Sequence, residues 1–303
     1  MDDKKQKLMN NLLFLPLVFF LCVSLNHTSA QGLSLGFKAG MSFSSFLDDS
    51  ELDMDGNKLE SFGSQSGFHI GILGRYRFYD DLFGARFGLI YNQRGGRIDY
   101  NGPSYFIFLD EDNIRYATGT RDEDLRWSNV FLDIPIEGMV FIANKVEISL
   151  GVYAGFMVGS RGSGDMNFVG RSLQTNTAIE PLDVVYEFRP FRDRSGLGSY
   201  KETGEIVIDG RTRIAPTEAG AYFEFEEKDG DYFHRFDYGL TGGLTYFFNQ
   251  GLYFNAQVKY GLADVVRDPY YVSKVSLDGQ REFIAREGER RNFSLMFSLG
   301  FAF

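Results

Sequence analysis

The segment Asn292 to Phe303 reads NFSLMFSLGFAF. Phe293, Leu295, Phe297, Leu299, Phe301 and Phe303 take every second position, and Asn292, Ser294, Met296, Ser298, Gly300 and Ala302 lie between them. A strand sends successive side chains to opposite faces, so this segment has one wholly apolar face and one small or polar face. In a water-soluble sheet the apolar face would be covered by a helix layer or a second sheet. The chain offers no helical pattern to supply such a cover, and it repeats the alternation elsewhere.

Seven further segments carry the same period: Leu33–Phe43, Phe68–Phe78, Phe83–Arg94, Val130–Val140, Val146–Gly159, Arg235–Phe248 and Leu252–Leu262. Each is about the 9–11 residues that a tilted strand needs to cross a bilayer. Charge tests the face assignment. Asp, Glu, Lys and Arg make up 24% of the chain, yet none falls on an apolar face of these segments. Lys38, Arg75, Arg77, Arg86, Arg94, Asp133, Glu137, Glu147, Arg235, Asp237 and Lys259 all lie on the opposite one. A charge facing lipid near the midplane costs ~2–4 kcal/mol, so this partition fits a strand wall with lipid outside it. A water-soluble barrel would carry its charge on the outside. The expected fold is all-β: a membrane-spanning, antiparallel, up-and-down barrel of eight strands. Pro135 is expected to bulge or kink the fourth of them, because proline cannot donate to the ladder.

The amino terminus has the form of a cleaved signal peptide, residues 1–30. Lys4, Lys5 and Lys7 precede an apolar run from Leu12 to Leu25, and Thr28-Ser29-Ala30 supplies small residues before Gln31. Residues 31–303 then form one barrel domain. That domain lacks cysteine, since Cys22 is the single one, so its stability rests on backbone pairing and burial. The formal net charge is −10, and −11 once the leader with its three lysines and two aspartates is gone. Such an acidic balance argues against a nucleic-acid partner.

Connection lengths give the orientation. Tyr79–Leu82, Ala143–Lys145 and Asn249–Gly251 read as tight turns. They alternate with long connections over Leu47–Ser66, Gly95–Ser128, Ser160–His234 and Ala263–Arg291. In barrels of this kind the short turns and both termini are periplasmic and the long loops extracellular. Asp55-Gly56, Asn101-Gly102, Asp209-Gly210, Asp229-Gly230 and Asp278-Gly279 are each a preferred pair for a tight hairpin turn. Alternating residues flank Asp209-Gly210 (Glu205–Ile208 and Arg211–Ile214) and Asp229-Gly230 (Ala221–Glu226 and Tyr232–Phe236). Much of the outer region is therefore expected to be hairpins that extend the wall. Gly162 to Thr175 is expected to be a mobile polar loop.

Chemistry-bearing residues are few. Arg86 and Glu137 fall at nearly the same height on adjacent strands and are expected to pair inside, as part of a salt-bridged plug. An eight-stranded barrel has an interior that side chains just fill. His69 points inward, while His234 lies at the rim beside Arg235 and Asp237; His234 and Asp237 point to opposite faces, and neither histidine has a nucleophile motif. Asp49, Glu51, Asp53 and Asp55 before Gly56 resemble a calcium loop, but the closing position falls on Phe62, which cannot coordinate. A solvated charged loop is the favoured reading there, with divalent ions shared with lipopolysaccharide as the other. No catalytic, cofactor-binding or metal residues are assigned, and no cofactor is expected.

Gly36-Phe37-Lys38-Ala39-Gly40, Phe131-Leu132-Asp133-Ile134-Pro135-Ile136 and Phe236-Asp237-Tyr238-Gly239-Leu240-Thr241-Gly242-Gly243-Leu244 resemble the PorT-like outer-membrane β-barrel family over essentially all of residues 31–303. The aromatic-Leu-acid-Ile-Pro and aromatic-Asp-aromatic-Gly stretches are its more specific marks. A strand ending in Phe303 also resembles the closing strand of bacterial outer-membrane barrels, where that residue belongs to the assembly signal. The resemblance implies an outer-membrane location and a non-enzymatic structural, binding or transport- and secretion-accessory role; PorT itself assists export by a dedicated secretion system. The expected partners are outer-membrane lipid and lipopolysaccharide, the barrel assembly machinery through Phe303, and secretion or uptake partners. Two other readings stay open: a small porin that recruits extra strands from the third long connection, and a lipid- or peptide-modifying enzyme at the outer rim using His234.

Overall fold

Alternation of apolar and polar residues produces strands here almost throughout. The computed structural model describes residues 32–78, 82–109, 114–142 and 145–303. The proposed leader 1–30, the turn residues Tyr79–Asp81 and Ala143–Asn144 lie outside the described residues. Among the described residues the strands are β1 (Leu33–Leu47), β2 (Glu60–Gly63), β3 (Gln65–Arg77), β4 (Phe83–Phe108), β5 (Arg115–Ile142), β6 (Val146–Ser172) and β7 (Leu182–Phe188). They continue with β8 (Tyr200–Ile208), β9 (Arg211–Ala219), β10 (Phe236–Phe247), β11 (Leu252–Gly261), β12 (Val272–Leu277), β13 (Phe283–Ala285) and β14 (Arg291–Ala302).

Eight of them pair in the order β10-β11-β14-β1-β3-β4-β5-β6, and β6 pairs back onto β10, so the path returns to its start. These eight are the segments expected from the sequence. The seam is β1 against β14, in register from Gly36 opposite Ala302 to Leu47 opposite Arg291. The Phe303 backbone N–H donates to the Leu35 carbonyl at 2.7 Å. With one exception the faces are those the charges predicted: Phe37, Ile72, Phe87, Ile136, Leu150, Leu240 and Leu299 are exposed, while Lys38, Arg86, Asp133, Glu137, Glu147 and Lys259 are buried. Arg235, expected on the inner face, is exposed because it precedes β10 and turns out to pair with Asp231.

Three strands run much further than a bilayer requires. β4, β5 and β6 have 26, 28 and 27 residues. The β4–β5 ladder continues from Gly95 opposite Ser128 to Phe108 opposite Arg115. Hairpins thus prolong the wall, but not always where expected. Asn101-Gly102 sits inside β4 opposite Asp122 and Arg121 instead of turning the chain. Gly162 to Ser172, expected to be a loop, belongs to β6 and pairs on both sides, with β5 and in part with β7. Asp209-Gly210 does turn β8 into β9, with both residues at positive φ. The expected hairpin about Asp229-Gly230 does not form: Ala221–Glu226 and Tyr232–Arg235 are irregular, because their aromatic residues pack inward as core. Among the described strands one pairing is parallel, β7 with β9 at Val185 opposite Glu218, and an isolated parallel bridge joins Ser195 to Tyr222; both depart from the all-antiparallel expectation. β9 can lie that way because the chain between β7 and β8 first turns back through a 3₁₀ turn at Gly196–Ser199.

Pro135 interrupts its ladder to β4 between Phe87–Ile136 and Ile90–Asp133, and pairing resumes in the same register. The missing N–H removes bonds without shifting the strand, so the expected bulge is absent there. The bulge lies instead in β6. Val130 pairs with Gly159 and Phe131 with Met157, which leaves Val158 as an extra residue. Below it the buried residues of β6 are odd-numbered (Glu147, Ser149, Tyr153, Met157); above it they are even-numbered (Gly162, Met166, Phe168).

The bulge coincides with a change of neighbour and of core. β6 leaves β10 at Phe156 opposite Phe236 and joins β7 from Gly162. Beyond that level the inside is apolar. Trp127, Phe106, Phe168, Phe188, Tyr222, Phe223 and Phe233 form one buried cluster with β7–β9 and the later connections. We call the two parts the band and the head.

Candidate functional site

The interior of the band is a network of four buried carboxylates, each with three partners. Glu137 accepts from Arg86 Nε at 2.6 Å, Gln257 Nε2 at 2.6 Å and Thr241 Oγ1 at 3.2 Å. Glu147 accepts from Arg86 Nη1 at 2.6 Å and Thr245 Oγ1 at 3.2 Å, and lies 3.5 Å from Arg75 Nε. Asp133 accepts from Lys259 Nζ at 2.7 Å, Asn92 Nδ2 at 3.0 Å and Arg94 Nη2 at 3.2 Å. Asp237 lies 2.9 Å from Arg94 Nη2 and accepts from Asn292 at 3.1 Å and Tyr153 at 3.2 Å. Partners come from β3, β4, β6, β10, β11 and β14, so the network ties the wall across its interior.

The expected Arg86–Glu137 pair is therefore present, but Arg86 is shared with Glu147 and also donates to Ser149 at 2.8 Å. Lys38 Nζ donates to the side-chain oxygens of Gln257 at 2.7 Å and Asn255 at 3.4 Å. Aromatic rings close the network at both ends. Arg94 Cζ is 3.8 Å from the centre of the Phe131 ring toward the head. At the other end Arg77 lies 4.0 Å from Phe141, and Arg75 lies 4.8 Å from Phe247. Gly155 leaves room for the network, since a Cβ there would sit 2.4 Å from Asp133 Oδ1 and 2.7 Å from Arg94 Nη2. Buried charges persist only when paired and hydrogen-bonded, and here every carboxylate is both. Groups tied at this many points suit a structural core.

The two histidines are separate. His69 is buried, with Nδ1 3.0 Å from Ser42 Oγ. His234 is exposed, whereas Asp237 is buried in the band network. Arg235, the remaining rim charge, pairs with Asp231 at 2.7 Å. His234 and Asp237 are not brought together.

The acidic first connection serves as a dock. Asp48 accepts from Tyr271 at 2.6 Å and Arg290 at 2.7 Å; Glu51 accepts from the Lys274 N–H at 3.0 Å and from Ser273; Glu60 pairs with Arg286 at 2.8 Å. Asp53 closes its own turn through Asn57. Phe62 lies in β2. Among the described residues no group of three or more His, Cys, Asp or Glu is disposed to hold a metal ion. Further in, Glu123 meets Lys274, Arg121 and the Tyr186 hydroxyl. Burial pushes the Glu123 carboxyl up, but Lys274 and Arg121 together outweigh it and hold it below the usual carboxylate range. The same burial drives the Tyr186 phenol well above its ordinary value.

Sequence reasoning missed Arg94–Asp237, Lys259–Asp133 and the Gln257 bridge. The signal was present: Lys38, Arg75, Arg86, Arg94 and Lys259 face inward against Asp133, Glu137, Glu147 and Asp237. Which cation meets which acid depends on strands paired around the ring, and height along neighbouring strands does not reveal that.

A family model described as outer membrane protein beta-barrel domain matches residues 26–267. No curated protein matches the chain. Among solved structures, Ail, the attachment invasion locus protein of Yersinia pestis, has a TM-score of 0.33 at 11% identity, over 90% of this chain and 99% of that one. OprG from Pseudomonas aeruginosa has 0.32 at 11%, over 90% and 96%. The outer membrane protease OmpT from Escherichia coli has 0.28 at 8%, over 91% and 97%. TM-scores this low bear on neither fold nor function.

Proposed function

The chain belongs to the outer membrane protein beta-barrel domain family and resides in the outer membrane of a Gram-negative bacterium, and from that premise we propose that it is a plugged, non-enzymatic barrel of the PorT-like kind. Eight strands span the membrane, and the head built from the long connections stands outside the cell. Its role is structural, binding or accessory to transport or secretion. The head is the part that meets secretion or uptake partners, and the apolar wall meets lipid and lipopolysaccharide.

The observation that carries this reading is the band network, in which four carboxylates with three partners each occupy the interior. Aqueous pores need roughly 16–18 strands. The direct β6–β10 ladder also weighs against the small-porin reading, because it keeps β7–β9 out of the ring. The separation of exposed His234 from buried Asp237 gives the rim-enzyme reading no support. Purified protein in planar lipid bilayers should show no steady conductance of porin size. A large, stable channel would defeat the proposal.

Recognition by the barrel assembly machinery is assigned to Phe303, whose ring is exposed at the seam and stacks edge-on with Phe301 at 5.2 Å. Phe303→Ser should sharply lower the amount of folded, heat-modifiable protein in the outer membrane. Normal amounts would remove that role.

A further inference from the structure

We propose that a cationic cleft on the outer wall, where band meets head, binds the phosphate groups of an outer-leaflet glycolipid. The inference deepens the reading above, on which its location at the outer leaflet rests. The cleft, about 300 Å³, is lined by Arg161 of β6 and by Arg189 and Arg192, which follow β7, together with Val158 and Phe191. Arg235 joins it from the residue just before β10, with its guanidinium 4.4 Å from the centre of the Phe191 ring.

Charge here runs against the acidic chain. Glu187 is the carboxylate shared by Arg161 at 3.3 Å, Arg189 at 3.1 Å and Lys201 at 3.7 Å. Asp231 takes Arg235, and Asp193 accepts from the backbone N–H groups of Arg189 and Ala221 and lies 3.7 Å from Lys201. Arg161, Arg189, Arg192, Arg235 and Lys201 therefore outnumber Glu187, Asp193 and Asp231. Arg161, Arg189 and Arg235 keep about half of their side-chain surface exposed. Guanidinium groups in this number suit phosphate, which they grip with paired N–H donors.

Depth selects the source of the phosphate. Val158 is exposed at the bulge, Phe236 is exposed at the first position of β10, and both belong to the apolar outer face. Arg161 lies three residues beyond Val158, roughly 10 Å along a strand. The arginines thus stand at headgroup height directly above the acyl-chain surface. Val158 and Phe191 offer the cleft an apolar floor. A soluble anion would have no use for that floor.

The test uses the full mature protein in detergent, with the number of bound lipids read by native mass spectrometry and the affinity by titration. The probes are lipopolysaccharide, the same lipopolysaccharide stripped of phosphate by alkaline phosphatase, inorganic phosphate and an acidic peptide. Arg161→Ala/Arg189→Ala/Arg192→Ala should lower lipopolysaccharide affinity at least tenfold, as should removal of the phosphates. Arg97→Ala/Arg126→Ala, elsewhere on the head wall, should leave it unchanged, and heat-modifiable mobility should confirm that both variants are folded. Equal binding by the triple variant, or by the stripped lipid, would overturn the proposal. So would displacement of the lipid by an equal concentration of inorganic phosphate, or selective capture of the acidic peptide. Sidedness is read separately, by cleavage in intact cells of a protease site inserted at Asp209–Gly210. A wrong orientation and an absent lipid site are therefore distinct results.

Discussion

Band and head are built from the same strands and obey opposite rules. On β5, Leu132, Ile134 and Ile136 point outward and Asp133 and Glu137 inward; further along, Thr120, Asp122 and Arg126 point outward and Leu125 and Trp127 inward. The period of two never breaks in β5, but the chemistry of its two faces exchanges near Val130. Burial of apolar groups drives the head in the ordinary way. In the band the apolar face meets lipid, and the interior is held by charge-assisted hydrogen bonds. Alternation alone therefore specifies a strand, and the sign of the alternation reports which solvent lies outside.

The largest expected effect attacks the band. Arg86→Met leaves Glu137 and Glu147 buried without their shared cation, and removing one partner of a buried pair typically costs about 3–5 kcal/mol. Urea unfolding in lipid vesicles should reveal this, with gel mobility reporting the ring. Trp127, the one tryptophan and a member of the head core, reports the head by fluorescence. Adding Glu137→Gln alone should not restore stability, since Glu147 keeps only Arg75 and Thr245; adding Glu147→Gln as well should recover much of the loss. A variant Arg86→Met as stable as the parent would mean that the network contributes nothing.

A smaller effect separates the two solvents on a single strand. Leu150 and Val169 both project outward from β6, one in the band and one in the head. Leu150→Arg should cost ~2–4 kcal/mol in a bilayer, while Val169→Arg should stay within about 0.5 kcal/mol. Equal costs would erase the distinction between the regions.

The smallest effect concerns the head alone. The Glu123 carboxyl is depressed when folded, so its contribution is complete above the ordinary glutamate value of ~4.3 and is lost as pH falls through the lower folded value. Acidification below about pH 4 should release Lys274 and increase protease cutting between Lys274 and Arg286, with the ring intact. In Glu123→Gln the segment should be cut more readily at neutral pH, and the step should vanish. An unchanged step in that variant would assign it to another carboxylate.

The band was legible because lipid forbids charge on one face, and that prohibition leaves a mark at every second residue. The Arg86–Glu137 pair and the Asp209-Gly210 turn were also legible, each set by local spacing. The head was less so. Gly162 to Ser172 looks like a loop because the bulge at Val158 reverses the phase, so Met166 and Phe168 fall on the face that a continuous count calls outward. Asn101-Gly102 carries a turn signature, but pairing with Asp122 and Arg121 of β5 on one side, and the Asn101 N–H donated to the Leu59 carbonyl on the other, keep it extended. Ala221–Glu226 alternates like a strand, yet its aromatic residues are consumed by a core assembled from distant segments.

The seam between β1 and β14 has a consequence for timing. It joins Gly36 to Ala302, residues almost a whole chain apart, whereas β4, β5 and β6 are successive hairpins whose partners lie close in sequence. Contacts between distant residues form late, because the intervening chain must first be gathered in. The hairpins that carry the head can therefore zip while the ring is still open, and the Phe303–Leu35 hydrogen bond is among the last to be made. Closure becomes a readout of completion: a chain stalled anywhere before β14 presents two unpaired strand edges, and those edges mark it as unfinished.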